Sequence, residues 1–410
     1  MVPKGWIASQ VGDIAMFSSG GTPSKQSAHF WGGTEPWISG KDLKTHYLAT
    51  SIDTLTEDGF KVAKKAPKGS SLILVRGMTL LKDFPVGYAT REVAFNQDLK
   101  ALVPNKDIDG LFLSFLLVAE KNKILQLVST AGHGTGRLDT ESIKSYPVNI
   151  PPLSEQNKIA KILSTWDKAI STTEQLLANS QQQKKALMQQ LLTGKKRLLD
   201  KNGVRFSGEW KKSTLGNLGN TFNGLTGKTK DDFGFGKKYI PYINIFKNSR
   251  IDLEALDLVD VKEGESQSLT QFGDIFFTTS SETPDEVGMS SVLLDQVDEV
   301  YLNSFCFGFR LFDFKSLLPE FARYLLRSEN IRSEIAVLGQ GATRYNLSKK
   351  QLMKLELLLP NINEQKKIAT ILSTTDQEIA ALQQKLDALK LEKKALMQQL
   401  LTGKRRVKIN

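Results

Sequence analysis

The chain has 410 residues, and its 55 Lys and Arg against 44 Asp and Glu give a formal net charge of +11. That length accommodates two or three domains with cores of ordinary size, and the positive excess favours a polyanionic partner. A single cysteine, Cys306, rules out a disulfide framework within the chain. The opening MVPKGWIASQVGDIAMF lacks the apolar core of a signal peptide, and the longest largely apolar stretch, Leu111 to Ala119, is too short to cross a bilayer; a soluble cytoplasmic protein without a membrane partner is expected.

Residues 1–150 read as a globular unit. The glycine-rich SSGGTPSK (18–25) is followed by the β-rich runs SSLILVRG (70–77) and REVAFNQDLKALVP (91–104), a helical pattern over 111–128, and a second glycine-rich turn, GHGTGR (132–137). This interleaving is that of an α+β domain. Residues 151–200 then read as a long helix with a linker. It follows Pro151-Pro152, has Ser154 as N-cap and Glu155 in its first turn, and closes at Gly194, which suits a left-handed C-terminal position. Within it Leu163, Trp166, Ile170, Thr173, Leu177, Ser180, Lys184, Leu187 and Leu191 alternate steps of three and four, the spacing of a heptad seam.

The pattern then starts again. Residues 201–360 carry the β-rich FGDIFFTT (272–279) and VYLNSFCFGFRLF (300–312), a helical pattern over 319–338, and the turn GQGATR (339–344), a second α+β unit. Residues 361–410 follow Pro360, offer Asn363 as N-cap and Glu364 in the first turn, and close the helix at Gly403. The second seam is Leu372, Thr375, Ile379, Leu382, Leu386, Leu389, Lys393, Leu396 and Leu400.

The two halves are a duplication. Glu155-Gln156 recurs as Glu364-Gln365, an offset of 209 that continues without a gap until KKALMQQLLTGK from Lys184 reappears unchanged from Lys393. Trp6 with Trp210, Gly12 with Gly216 and Gly20 with Gly224 extend the correspondence more faintly into the globular units. Lys184 and Lys393 interrupt both seams at the same place, a device that fixes register at some cost in stability. The basic ends, Lys195-Lys196-Arg197 and Lys404-Arg405-Arg406, suit either the negative pole of the helix dipole or phosphates, with the dipole favoured.

Motifs for chemistry fail on spacing. GLTGKT (224–229) imitates the end of a phosphate-binding loop, but the position that needs the first glycine holds Phe222. Pro151-Pro152 is flanked by Ile150 and Leu153, not by the residues that hold a flipped base in adenine methyltransferases. His29, His46 and His133 are scattered, no Cys/His cluster has metal-ligand spacing, and Pro284-Asp285 has no nuclease partner motif nearby. A non-catalytic chain that binds no metal or cofactor is expected.

The order of globular unit, SEQ-x-KIA-x-IL helix, globular unit and NEQKKIATIL helix resembles the specificity subunits of type I restriction-modification systems over the whole chain. SSGGTPSK, FNQDLKAL (95–102), GDI-x-F (273–277) and the two glycine-rich turns before the helices add to it. The resemblance implies two target recognition domains, each reading one half of a split, asymmetric sequence in double-stranded DNA, joined by two helices in an antiparallel coiled coil. It further implies two docked methyltransferase subunits carrying S-adenosylmethionine, and restriction subunits carrying ATP and magnesium. A methylation-only system, or a coiled-coil adaptor without a DNA role, is the alternative. A helix from Glu155 to Thr193 would be roughly 58 Å long at about 1.5 Å per residue, enough to hold two readers up to about 1.7 turns of DNA apart.

Residues expected at DNA are basic side chains beside glycine-rich loops. In the first unit these are Lys25, Lys41, Lys44, Arg76, His133 and Arg137; in the second, Lys228, Lys230, Lys237, Lys238, Arg250, Arg344 and Tyr345. Arg137 and Arg344, each ending a GxGxxR turn, read as an equivalent pair.

Overall fold

The computed structural model describes residues 2–130, 134–341 and 343–408. The chain divides into two compact units, Met1–Glu174 with Gln384–Asn410, and Gln175–Gln383. Each long helix is therefore shared between units, whereas its sequence alone reads as a region apart. The reason lies in the seam: an isolated amphipathic helix has nowhere to bury its apolar stripe, so each half finds cover in a different unit.

In the first unit a five-stranded sheet runs in the order Ala15–Ser19, Leu99–Pro104, Ser71–Leu74, Val86–Ala89 and Tyr47–Leu48. Ser71–Leu74 is buried on both faces, as its continuous apolar run demands. The helix Gly110–Leu125 is capped by Asp109, whose carboxylate accepts from the Phe112 N–H at 2.7 Å, and buries Phe112, Phe115 and Leu116. A four-stranded sheet (Thr54–Leu55, Trp31–Ile38, Val93–Phe95, Lys65–Ala66) and a three-stranded one (Val128–Thr130, Gly136–Leu138, Arg76–Gly77) complete the α+β unit, with Ile7–Gln10 paired to Pro147–Ile150.

The second unit repeats the plan. Its main sheet is Gly219–Asn223, Cys306–Leu311, Ile275–Thr278 and Ser290–Val292, with three-stranded sheets of Asp257–Val259, Phe233–Ile240 and Tyr301–Leu302 and of Ser280–Ser281, Tyr345–Leu347 and Gly339–Gln340. Lys211–Thr214 pairs with Glu356–Leu359, the counterpart of the terminal pair in the first unit. The helical pattern expected as one run over 319–338 is two helices, Pro319–Leu325 and Glu329–Val337, separated at Ser328. Gly20 and Gly224 correspond for a steric reason: at each, a Cβ would collide with a backbone oxygen, that of Asn96 or of Asn303.

The long helices span Leu153–Leu191 and Ile362–Leu400. Their starts correct the expected caps. Ser154 lies inside the first turn, because the Pro152 carbonyl accepts from both Glu155 and Gln156 N–H. At the second helix Asn361, not Asn363, is the cap, and its side chain accepts from the Glu364 N–H at 3.1 Å. The ends are as expected, with Gly194 at φ 71° and Gly403 at φ 67°.

Every seam position is at least partly covered. Leu163, Leu177, Leu191, Leu372, Leu386 and Leu400 are buried, and Trp166, Ile170, Leu187, Ile379, Leu382, Leu389 and Leu396 are partly so. In the first unit Ile159, Ala160 and Leu163 share a core with Met397 and Leu400, and in the second Leu191 shares one with Ile368, Ala369 and Leu372. The pairing inside each unit is antiparallel. Asp167 meets Lys393, and Glu174 meets Lys390 at 2.7 Å, while Lys184 meets Asp376 at 2.5 Å and Arg197 meets Glu364 at 2.7 Å.

The seam lysines are thus neutralised, each by the aspartate 209 residues from the other's partner. Tyr324 donates to Asp376 at 2.8 Å and Arg323 pairs with it at 2.8 Å; Tyr47 donates to Asp167 at 3.1 Å. The duplicated Glu-Gln also has an explanation. Gln156 accepts from the Asp109 N–H and donates to the Asp107 and Pro151 carbonyls; Gln365 accepts from the Leu318 N–H and donates to the Ser316 and Pro360 carbonyls. A buried amide with all these bonds made tolerates no replacement cheaply.

Candidate nucleic-acid interface

The small three-stranded sheets are built alike in both units, and each leaves side chains at the surface. Each is anchored by one leucine: the Leu138 N–H donates to the Val75 carbonyl at 2.9 Å, and the Leu347 N–H to the Thr279 carbonyl at 2.8 Å. Leu138 and Leu347 are buried, so by strand alternation the residue before each faces solvent. Those residues are Arg137 and Asn346, both exposed.

Cross-strand pairing extends each into a row. In the first unit Ser129, Arg137 and Arg76 lie opposite one another across the three strands. In the second the row is Gln340, Asn346 and Ser280. This corrects the expected equivalence of Arg137 with Arg344. The backbone registers place Asn346 in the position of Arg137, and Arg344 precedes the strand. The two glycine-rich turns align in sequence, but the strand that follows each is entered at a different distance.

Beside the row in the first unit lies a groove of about 390 Å³ lined by Ser19, Arg76, Gln97, Lys100, Arg137 and Asp139 among others. Lys100 donates to Ser19 at 2.6 Å. The Asp139 carboxylate accepts from the Ser142 N–H at 2.9 Å, and this bond, aided by nearby Arg137, holds it below the usual carboxylate range. Gln97, Lys100, Ser129, Gln340 and Asn346 escaped the reading of basic loops, because the strands that display three of them are only two or three residues long. Alternation beside Leu138 and Leu347 was the available signal.

The other expected contacts divide by their partners. Lys25, Lys44, Lys230, Lys238 and Arg344 are exposed and carry no ion pair among the described residues. Four others are engaged internally: Lys41 with Asp53 at 4.0 Å, Lys228 with Glu265 at 2.5 Å, Lys237 with Glu299 at 2.6 Å, and Arg250 with Asp295 at 2.7 Å. The Lys228 side chain is only 4% exposed. Tyr345 is partly buried against the core, and His133 lies outside the described residues. Arg197 and Arg406, expected at a helix dipole or at phosphates, do neither; each forks onto a buried glutamate, Glu364 or Glu155.

The segment around Gly224–Thr229 is no phosphate loop. It leads from Gly219–Asn223 into a three-residue 3-10 turn, Lys230–Asp232, with no helix N-terminus to receive a phosphate. Among the described residues no group of three or more His, Cys, Asp or Glu side chains is placed to hold a metal, and no helix is long and apolar enough to cross a membrane. Burial pushes the Cys306 thiol up to about 12, which keeps it protonated and unreactive near neutral pH.

Comparison with known proteins agrees with this duplicated, two-unit plan. A profile of the type I restriction modification DNA specificity domain matches residues 3–179 and 207–391. The chain belongs to the type I specificity-subunit family. A type I restriction enzyme MjaVIII specificity subunit of Methanocaldococcus jannaschii is 25% identical over 99% of this chain and 94% of its own length. A specificity subunit of Escherichia coli is 31% identical over a shorter match, 38% of this chain and 40% of that protein. In fold, the S subunit of a type I system from M. genitalium superposes with a TM-score of 0.61 at 15% identity, covering 98% of this chain and 99% of that one. A specificity subunit thus carries two copies of the family domain in one chain, and both profile matches run into the long helices.

Proposed function

We propose that this specificity subunit binds an asymmetric, bipartite sequence in double-stranded DNA, one half per unit, and directs adenine methylation by two docked methyltransferase subunits. Restriction subunits, where the system has them, would join the same assembly. The observation that carries the reading is the pair of rows described above: the same backbone placement is built twice, and its exposed side chains differ between the copies. Identical frames with different readers suit a target whose halves differ. The repeated helices, by contrast, keep the same Glu-Gln in their first turns and the same residues throughout the stretch from Lys184 and from Lys393, as binding the same partner twice requires.

The chain's own role in this reading is recognition and assembly, without a catalytic group. Methyl transfer from S-adenosylmethionine belongs to the methyltransferase subunits, and ATP- and magnesium-dependent cleavage to the restriction subunits. Mapping methylated adenines in cells with and without the chain tests the proposal: one bipartite, non-palindromic motif should depend on it. Methylation that is the same in both would end the proposal. A salt-sensitive gel shift on the mapped duplex, stronger with the methyltransferase present, separates DNA reading from a purely structural adaptor role.

A further inference from the structure

We propose that the two small sheets read different base pairs. Arg76 and Arg137 of the first unit would read guanine in one half-site, and Gln340 and Asn346 of the second would read adenine in the other, beyond the adenine that is methylated. This rests on the DNA-reading role proposed above and adds which residues carry the difference.

Arg76 and Arg137 are directly opposite each other in an antiparallel pair, and like charges in that relation destabilise a sheet. Both are exposed, and neither forms a close ion pair among the described residues, Arg137 acting on the Asp139 carboxyl only from nearby. The nearby Asp139 carboxylate is taken up by the Ser142 N–H and hydroxyl, at 2.9 and 3.2 Å. Lys100, in the same groove, adds a third positive charge. Beyond the pull of Arg137 on Asp139 and the bond from Lys100 to Ser19, the fold gains little from this concentration of cations, and an external acceptor relieves it. Guanidinium forks match the O6 and N7 acceptors of guanine, which both face the major groove. The adjacent Gln97, exposed at the rim, leaves the groove polar rather than purely cationic.

The second unit replaces both arginines. Gln340 lies directly opposite Asn346, and the next position in the row is Ser280. The Asn346 amide makes one internal bond at 3.4 Å, to the Arg344 carbonyl, near the limit of a hydrogen bond. A side-chain amide offers one donor and one acceptor side by side, the complement of adenine N7 and N6. A row of uncharged amides has little to offer a phosphate, whereas the arginine row could serve phosphate or base; lysine substitution tells these apart.

The test is methylome mapping in cells where this full-length chain is the sole specificity subunit, comparing wild type with R76K, R137K, Q340L and N346L. The variant chains are purified with their methyltransferase and their melting temperatures checked, which should match wild type because all four positions are exposed. The wild-type motif should contain a G·C pair in one half. R76K and R137K keep the charge but replace the rigid planar fork with a flexible point charge, so discrimination at that G·C pair should fall by about tenfold while the other half is read unchanged. Q340L and N346L should relax the other half alone. A wild-type motif without a G·C pair, lysine variants that keep the full motif, or variants that alter both halves together would overturn this assignment while leaving the DNA-reading role in place. Wild-type methylation independent of the chain would remove both.

Discussion

Arg406 grips the carboxylate of Glu155 through two hydrogen bonds of 2.7 Å, 251 residues away along the chain. The same clamp recurs between Arg197 and Glu364, again with two bonds of 2.7 Å. In each, the glutamate is buried in the first turn of a long helix, and an arginine stacks near a tryptophan, Arg406 over Trp6 and Arg197 over Trp210 at 5.9 Å. Removing the arginine strands a buried carboxylate, a loss of several kcal/mol when both partners are enclosed. Arg406 is itself exposed, so R406M should lower the urea midpoint, by less than the loss of a fully enclosed partner would. A chain ending before Arg406 should lose about as much. Urea denaturation would measure both, and an unchanged midpoint would show the clamp to be incidental.

The seam lysines predict an asymmetry between partners. Asp376 answers Lys184, Arg323 and Tyr324, so D376A leaves two cations facing each other and should destabilise by about 3 kcal/mol. K184M removes one cation, keeps the apolar stem and should cost under about 1 kcal/mol. Equal losses in the two variants would refute this account of the seam.

Acid sensitivity should have an identifiable source. The His46 imidazole is lowered to about 4, first by burial and then by Lys393, against the opposing pull of Asp167. It stacks on Phe115 at 5.1 Å, with Ser114 3.1 Å from Nε2. Because the folded value lies below the ordinary 6.5, the unfolded chain takes the proton first. The contribution is present in full above about pH 6.5 and is lost as pH falls towards 4, by about 3 kcal/mol in the limit. H46F keeps the stack and should flatten that part of the pH profile; a parallel decline in wild type and variant would place the sensitivity elsewhere.

Gly20 and Gly224 should resist substitution although neither has positive φ. In both, a Cβ meets a backbone oxygen, which cannot rotate away as a side chain can. G20A and G224A should each destabilise by about 1–3 kcal/mol, read from thermal melts.

The duplication predicts that half the chain can imitate the whole. A fragment ending near Lys201 retains Glu155, Asp167, Lys184 and Arg197, one member of each arginine clamp and of each seam-lysine pair together with its complement. Two copies could therefore satisfy each other's groups and should direct methylation to a palindromic split site. A monomeric fragment, or an asymmetric site, would argue against functional symmetry in the repeat.

How much of this was legible in the sequence depended on distance along the chain. Seam positions from Leu163 to Leu191 and from Leu372 to Leu400 were found because a helix repeats every 3.6 residues, so burial on one face leaves a local, periodic trace. The duplication was found because both copies of the helix must satisfy the same contacts. Glu155 and Gln156 were visible as repeated residues, but nothing local showed that Arg406 or the Asp109 backbone was the reason. Both helix caps shifted by two residues, from Ser154 to Pro152 and from Asn363 to Asn361, since a proline or asparagine carbonyl at the cap looks no different in sequence from its neighbours.

The two α+β units, the two helices and their common origin could be read from the chain alone, because those rest on short-range propensity, periodic burial and repeated residues. It took the packed chain to show which half of each helix belongs to which unit, that Arg197 and Arg406 clamp buried glutamates, and that Arg137 stands where Asn346 stands. Those relations come from strand register and from side chains meeting across 167 and 251 residues, and a pairing of that kind leaves no period for the sequence to reveal.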